Sequence, residues 1–168
     1  KMMRDKWCGE IRESDSGSQV IIAGWVNSRR DHGGLIFIDL RDRTGIVQVV
    51  FNPEVNREVH ESAHAIRNEF VLQIKGEVRK RPEGTENLVI ATGKIEIVTK
   101  ELSILNECKA LPFLIEDEAD ASELLRLKYR YLDLRRPVIQ KNIILRHKTT
   151  KRVREYLDSN GFLEIETP

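Results

Sequence analysis

Phe37 and Gln48 each interrupt a β pattern in the same sense, and both lie within a stretch rich in arginine, GWVNSRRDHGGLIFIDLRDRTGIVQVVF at 24–51. From Leu35 to Leu40, alternation puts Ile36, Ile38 and Leu40 on one strand face and Leu35, Phe37 and Asp39 on the other. From Ile46 to Phe51, Val47, Val49 and Phe51 share one face, and Ile46, Gln48 and Val50 the other. The all-apolar sets require a core. Phe37 and Gln48 are left on the open face, where an aromatic, an amide and arginines can stack on and read an unpaired base. A register slip would make Phe37 core, but only by turning Ile36, Ile38 and Leu40 outward together.

One other motif bears chemistry. His60-Glu61-Ser62-Ala63-His64 is a literal HExxH, which on a helix sets two imidazoles on one face around zinc with Glu61 as base. Its helix is short, its apolar stripe is offset from the histidines, and only Glu83 or Glu86 offer a third ligand. Surface histidines, with no metal site, are the plainer reading. Cys8 and Cys108 are far apart and lack CxxC spacing, so they indicate neither a zinc ribbon nor a disulfide framework.

The elements that must position Phe37 and Gln48 are five strands: Gln19–Arg30, Leu35–Leu40 after Gly33-Gly34, Ile46–Phe51, Phe70–Arg81 and roughly Lys94–Leu105. In the fourth, Phe70, Leu72, Ile74 and Val78 face inward and Val71, Gln73, Lys75, Glu77, Arg79 and Arg81 outward. In the fifth, Ile95 and Ile97 face inward and Glu96 outward. A helix over about Glu54–Asn68, with Val55, Val59, Ala63 and Ile66 as its stripe, separates strands three and four. This order predicts a mainly β fold with helices, a five-stranded OB barrel whose second and third strands face oligonucleotides.

Beyond the barrel (1–106), residues 107–137 read as a linker and hinge, and 138–168 as the start of a further α+β domain. Glu107–Glu123 holds six acids and one lysine, whereas Ala121–Arg154 holds eleven Lys/Arg against Glu123 and Asp133. Such a basic block attracts phosphate, although a solvated helix face is the ordinary alternative. A short helix is expected over Ser122–Asp133 and a long one over Val138–Asn160, striped by Ile139, Ile143, Leu145, Val153 and Leu157. A strand is expected over Phe162–Thr167. A chain stopping one strand after a long helix reads as a truncated one. The N-terminal KMMRDKWCGEIRESD has no apolar signal segment and no run reaches membrane-spanning length, so a protein of the cytoplasm or an organelle matrix is expected, cytoplasmic by the first choice.

Residues 24–51 resemble the anticodon-binding barrel of bacterial-type aspartyl-tRNA synthetases. LRLKYRYLDLRRP at 125–137 resembles the hinge of that family, and GFLEIETP at 161–168 the end of class II motif 1. The resemblance implies roles that the pattern alone does not. Phe37 would stack on an anticodon base, Gln48 would pair with a uracil edge, and Arg30, Arg79 and Arg81 would contact bases or their surroundings. Glu96 would accept from a cytosine amino group. Without it, Arg30, Arg79 and Arg81 would merely balance Asp31, Asp39 and Glu77. His32 and Gly84 resemble the non-discriminating subtype, which charges tRNA-Asp and tRNA-Asn alike. A Gly cannot penalise a wrong third base as a long side chain can.

The long helix with Gly161, Phe162 and Pro168 would build the motif 1 homodimer interface. Motifs 2 and 3 would lie beyond Pro168, so no catalytic residue is expected among these 168. ATP and Mg2+ are expected for the full-length ligase and not for this segment. The rival functions are a free-standing single-strand binder built on the same barrel and the asparaginyl or lysyl enzymes. RRDHGGLIFIDLRDR favours the aspartyl type.

Overall fold

The computed structural model describes residues 3–168. Residues 1 and 2, part of the N-terminal stretch expected to carry no signal segment, lie outside them. Two compact units divide the chain, Lys1–Lys109 and Ala110–Pro168.

In the first unit, β1 (Gln19–His32), β2 (Leu35–Asp42), β3 (Gly45–Phe51), β4 (Val71–Lys80) and β5 (Ile95–Asn106) close into a barrel of order β1-β2-β3-β5-β4. All pairings are antiparallel except β3 with β5. The β1–β2 hairpin turns on Gly33 and Gly34, both at positive φ (58° and 78°), as a two-residue turn matched to strand twist demands. The parity expectation holds: Ile36, Ile38, Leu40, Val47, Val49 and Phe51 are at most 1% exposed and pack with Leu72, Ile74, Val78, Ile95 and Ile97.

The helix between β3 and β4, α1 (Arg57–Ala63), is shorter than expected at both ends. Asn52 Oδ1 accepts from Glu54 N at 2.8 Å, which makes Asn52–Glu54 a turn. Asn56 then caps the helix by accepting from Val59 N at 3.2 Å. Val55 consequently precedes the helix and is exposed, while Ala63 and Ile66 are fully buried.

In the second unit, the expected helix over 122–133 is broken at Tyr129 (φ −108°, ψ 45°) into α2 (Glu123–Lys128) and α3 (Arg130–Asp133). Arg136 ties the acidic segment to the next helix. It donates to the carbonyls of Glu116 (3.0 Å) and Asp117 (2.8 Å) and to Asp133 Oδ1 (3.0 Å). Asp117 Oδ1 in turn accepts from Val138 N at 3.1 Å, satisfying a free donor in the first turn of α4 (Pro137–Ser159).

No residue of α4 is buried, and Ile143, Leu145, Val153 and Leu157 of its stripe are exposed. Gly161, at φ 80°, ends the helix, with Phe162 N donating to the Leu157 carbonyl at 3.1 Å. Phe162–Thr167 is not a strand. Among the described residues of this unit no strand lies beside it to satisfy its backbone, and Phe162, Leu163 and Ile165 are exposed.

Candidate nucleic-acid interface

The sheet register sets the outward side chains of adjacent strands directly opposite one another. Arg30 pairs with Phe37, Asp39 with Gln48, Gln48 with Glu96, and Arg79 with Glu96. A continuous chain of hydrogen bonds results, with one residue from each of the five strands. Arg30 Nη2 donates to Asp39 (3.2 Å) and to Gln48 Oε1 (3.2 Å). Gln48 Nε2 donates to Glu96 Oε2 (2.9 Å), and Arg79 donates twice to Glu96 Oε1 (2.6 and 3.1 Å). Ser28 Oγ anchors the free end on Asp39 Oδ2 at 2.6 Å.

This chain changes what an open face means here. Gln48 and Glu96 point outward, as alternation requires, yet are only 7% and 2% exposed, because Arg30 and Arg79 flank them. Val50, opposite Phe37 in register, is shielded as well. With both ends of its amide engaged, Gln48 has a fixed orientation. One N–H and one oxygen lone pair remain for a ligand. Glu96, with three donors on it, holds Gln48 and Arg79 in place.

Arg81 keeps its expected outward position, lining the same cavity as Arg79 and Gln48, but is only 9% exposed. Strand β4 ends at Lys80, and the loop that Pro82 opens holds the Arg81 side chain. Its Nε donates to the Ile95 carbonyl (3.0 Å) and Nη1 to that of Thr85 (3.4 Å), while the buried Nη2 has no partner. Desolvation lowers its pKa from the ordinary arginine value, opposed by the carboxylates of Glu96 and Asp39. A buried donor without an acceptor is costly unless a ligand supplies one.

These groups line one cavity of about 580 Å³ that brings together Arg30, His32, Phe37, Gln48, Arg79, Arg81 and Glu96. Gly84 is not among its lining residues. It sits at φ 82° in the exposed loop nearby, with open space where a Cβ would project. Asp39, Pro82, Thr85 and Asn87 also line the cavity, outside the expected set. Asp39 was legible as the neighbour of Phe37 on one strand face. The loop residues carried no periodic signal. The balancing-charge alternative holds only for Arg30 with Asp39. Glu77 is taken by Lys100 (2.9 Å) and Asp31 by Arg29 (2.9 Å).

The HExxH residues do not assemble a centre. His60 and His64 meet edge to face with centroids 5.1 Å apart, and no group of three or more His, Cys, Asp or Glu among the described residues is arranged to hold a metal ion. Cys8 is fully buried, and burial beside Asp42 drives its thiol pKa far up, which makes it inert. Both cysteines are free.

Residues 122–168 match the family described as class II tRNA synthetases (D, K and N). The chain is 59% identical over 167 residues to an aspartate–tRNA(Asp/Asn) ligase of Thermodesulfovibrio yellowstonii, and 58% identical over 167 residues to one of Endomicrobium trichonymphae. Each match covers 99% of this chain and 28% of the relative, so the chain spans little more than a quarter of their length. A crystal structure of asparaginyl-tRNA synthetase from Pyrococcus horikoshii is similar over 99% of this chain and 38% of its own, at 28% identity and a TM-score of 0.85. With residues 20–105 matching its profile and folded as the closed barrel described above, the chain belongs to the OB-fold nucleic acid binding domain family.

Proposed function

We propose that the barrel reads the anticodon of tRNA-Asp, and of tRNA-Asn, on behalf of an aspartate–tRNA ligase. The observation that carries this reading is the Asp39–Arg30–Gln48–Glu96–Arg79 chain, with Phe37 beside it and the unpartnered Arg81 Nη2 in the same cavity. A ring offers a stacking platform for any base, and the fixed Gln48 amide supplies the hydrogen bonds that make it selective. Relatives named for both tRNAs support the broader specificity. In that reading His32 and Gly84 leave the third anticodon base unpenalised.

The remaining assignments belong to the ligase as a whole. It joins aspartate to tRNA with ATP and Mg2+, acts as a homodimer in the cytoplasm, and uses the exposed face of α4 with Gly161, Phe162 and Pro168 as its dimer surface. No step of ATP chemistry is assigned to a residue of this chain. No helix among the described residues is long and apolar enough to cross a membrane.

The test is a binding titration of this chain against anticodon stem-loops. Phe37→Ala should weaken the tRNA-Asp stem-loop at least tenfold, in line with about 1–3 kcal/mol per stacked base, with the thermal transition unchanged. An unaltered Kd would remove Phe37 from the interface. Stem-loops whose third anticodon base is C or U should bind within a few-fold of each other. Strong rejection of U would confine the reading to tRNA-Asp.

A further inference from the structure

A second cationic feature lies at the opposite end of β2 from the β1–β2 hairpin. Trp7 precedes a short 3-10 turn, Cys8–Glu10, that is docked on the β2–β3 turn. Cys8 N donates to Asp42 Oδ2 (2.7 Å) and Gly9 N to Thr44 Oγ1 (2.9 Å), while Asp42 Oδ1 holds Thr44 N (2.8 Å). Gly9 has no room for a Cβ against the Thr44 carbonyl, which fixes the approach. On this rigid base two guanidinium groups share one indole. The Cζ atom of Arg4 lies 3.6 Å from the Trp7 ring centroid and that of Arg43 lies 4.5 Å from it.

Neither cation has a carboxylate partner among the described residues. The nearest acids in sequence are already committed, Asp42 to the backbone of the turn and Asp5 to Ile21 N at 2.9 Å. Two like charges on one ring repel unless an anion sits with them. The ring holds both planar groups in place, so little freedom is lost when they bind. Guanidinium forks bind phosphate oxygens, as they do carboxylates, in bidentate pairs. Arg43 is exposed, and it stands six residues on from Phe37, just past the end of β2, about 20 Å away at strand rise.

We infer that Arg4 and Arg43, stacked on Trp7, form a phosphate-binding site for the backbone of the RNA whose bases enter the Phe37 cavity. The inference rests on the proposed anticodon reading for its ligand. The site grips sugar-phosphate without reading sequence, and it fixes how the stem-loop lies on the barrel.

The salt dependence of binding tests it. Each phosphate left unneutralised should shallow the slope of log K against log [KCl] by about one. With the tRNA-Asp anticodon stem-loop, Arg4→Gln/Arg43→Gln should flatten the slope by nearly two at an unchanged thermal transition. Arg4→Lys/Arg43→Lys should restore most of it. Phe37→Ala should weaken binding while leaving the slope intact. An unchanged slope in the double Gln variant, with Phe37→Ala still weak, would overturn this site and leave the anticodon reading standing. A flattened slope with no effect of Phe37→Ala would do the reverse. Titration with inorganic phosphate, followed by the arginine Nε–H resonances, covers the other source of the same chemistry. Saturation by free phosphate without any change of RNA slope in the Gln variant would overturn the link to RNA and make this a plain anion site.

Discussion

The barrel and the helix α4 use similar apolar residues to opposite ends. In the barrel, Ile36, Ile38, Leu40, Val49 and Ile74 are sealed by a ring of strands that closes on itself. Along α4, Ile143, Leu145, Val153 and Leu157 meet no cover within their own unit. One unit satisfies its hydrophobic pattern internally, and the other displays it. The outward face of the barrel therefore rests on a self-supporting scaffold, while the apolar stripe of α4 stays exposed.

Substitutions can break that comparison. Ile38→Ala, at a fully buried position, should cost about 2–5 kcal/mol in a denaturant titration. The chemically similar Leu145→Ala should change stability by no more than about 0.5 kcal/mol, because Leu145 is 63% exposed. Equal losses at the two sites would mean that α4 is packed. Glu96→Ala sharpens the contrast from the polar side. It strands Arg79 and the Gln48 amide, and should cost about 1–3 kcal/mol while also weakening stem-loop binding.

The smallest effect concerns Asp15, whose carboxyl pKa is held below its ordinary 3.8 by its bond to Lys6 and by the Arg12 backbone. A depressed native value means the stabilisation is complete above about pH 4 and fades as pH falls through the lower value. Asp15→Asn should slightly flatten the acid limb of a stability–pH curve.

Parity makes the barrel legible without coordinates. Two runs of alternating residues cannot both bury Ile36, Ile38, Leu40 and bury Phe37. The same rule locates the outward positions of Gln48 and Glu96, but not their burial, which depends on the reach of Arg30 and Arg79 across strands. For Arg81 the rule likewise gives the face but not the burial, which goes with its bonds to the Ile95 and Thr85 carbonyls. The loop residues Thr85 and Asn87 escape it because a cavity wall in irregular chain has no period. The helix α1 starts later than expected for a local reason, the competing hydrogen bonds of Asn52 and Asn56. The expected strand after Gly161 is missing because a strand is a property of two segments, and no second strand stands among the described residues of that unit.

The polar chain across the barrel draws a single side chain from every strand. A slip of any strand by one position would swing its contributor to the far side and cut the chain. The arrangement thus acts as an inspection of assembly. A barrel closed out of step would lose Gln48's fixed amide and Glu96's support together, and with them the surface proposed to meet RNA.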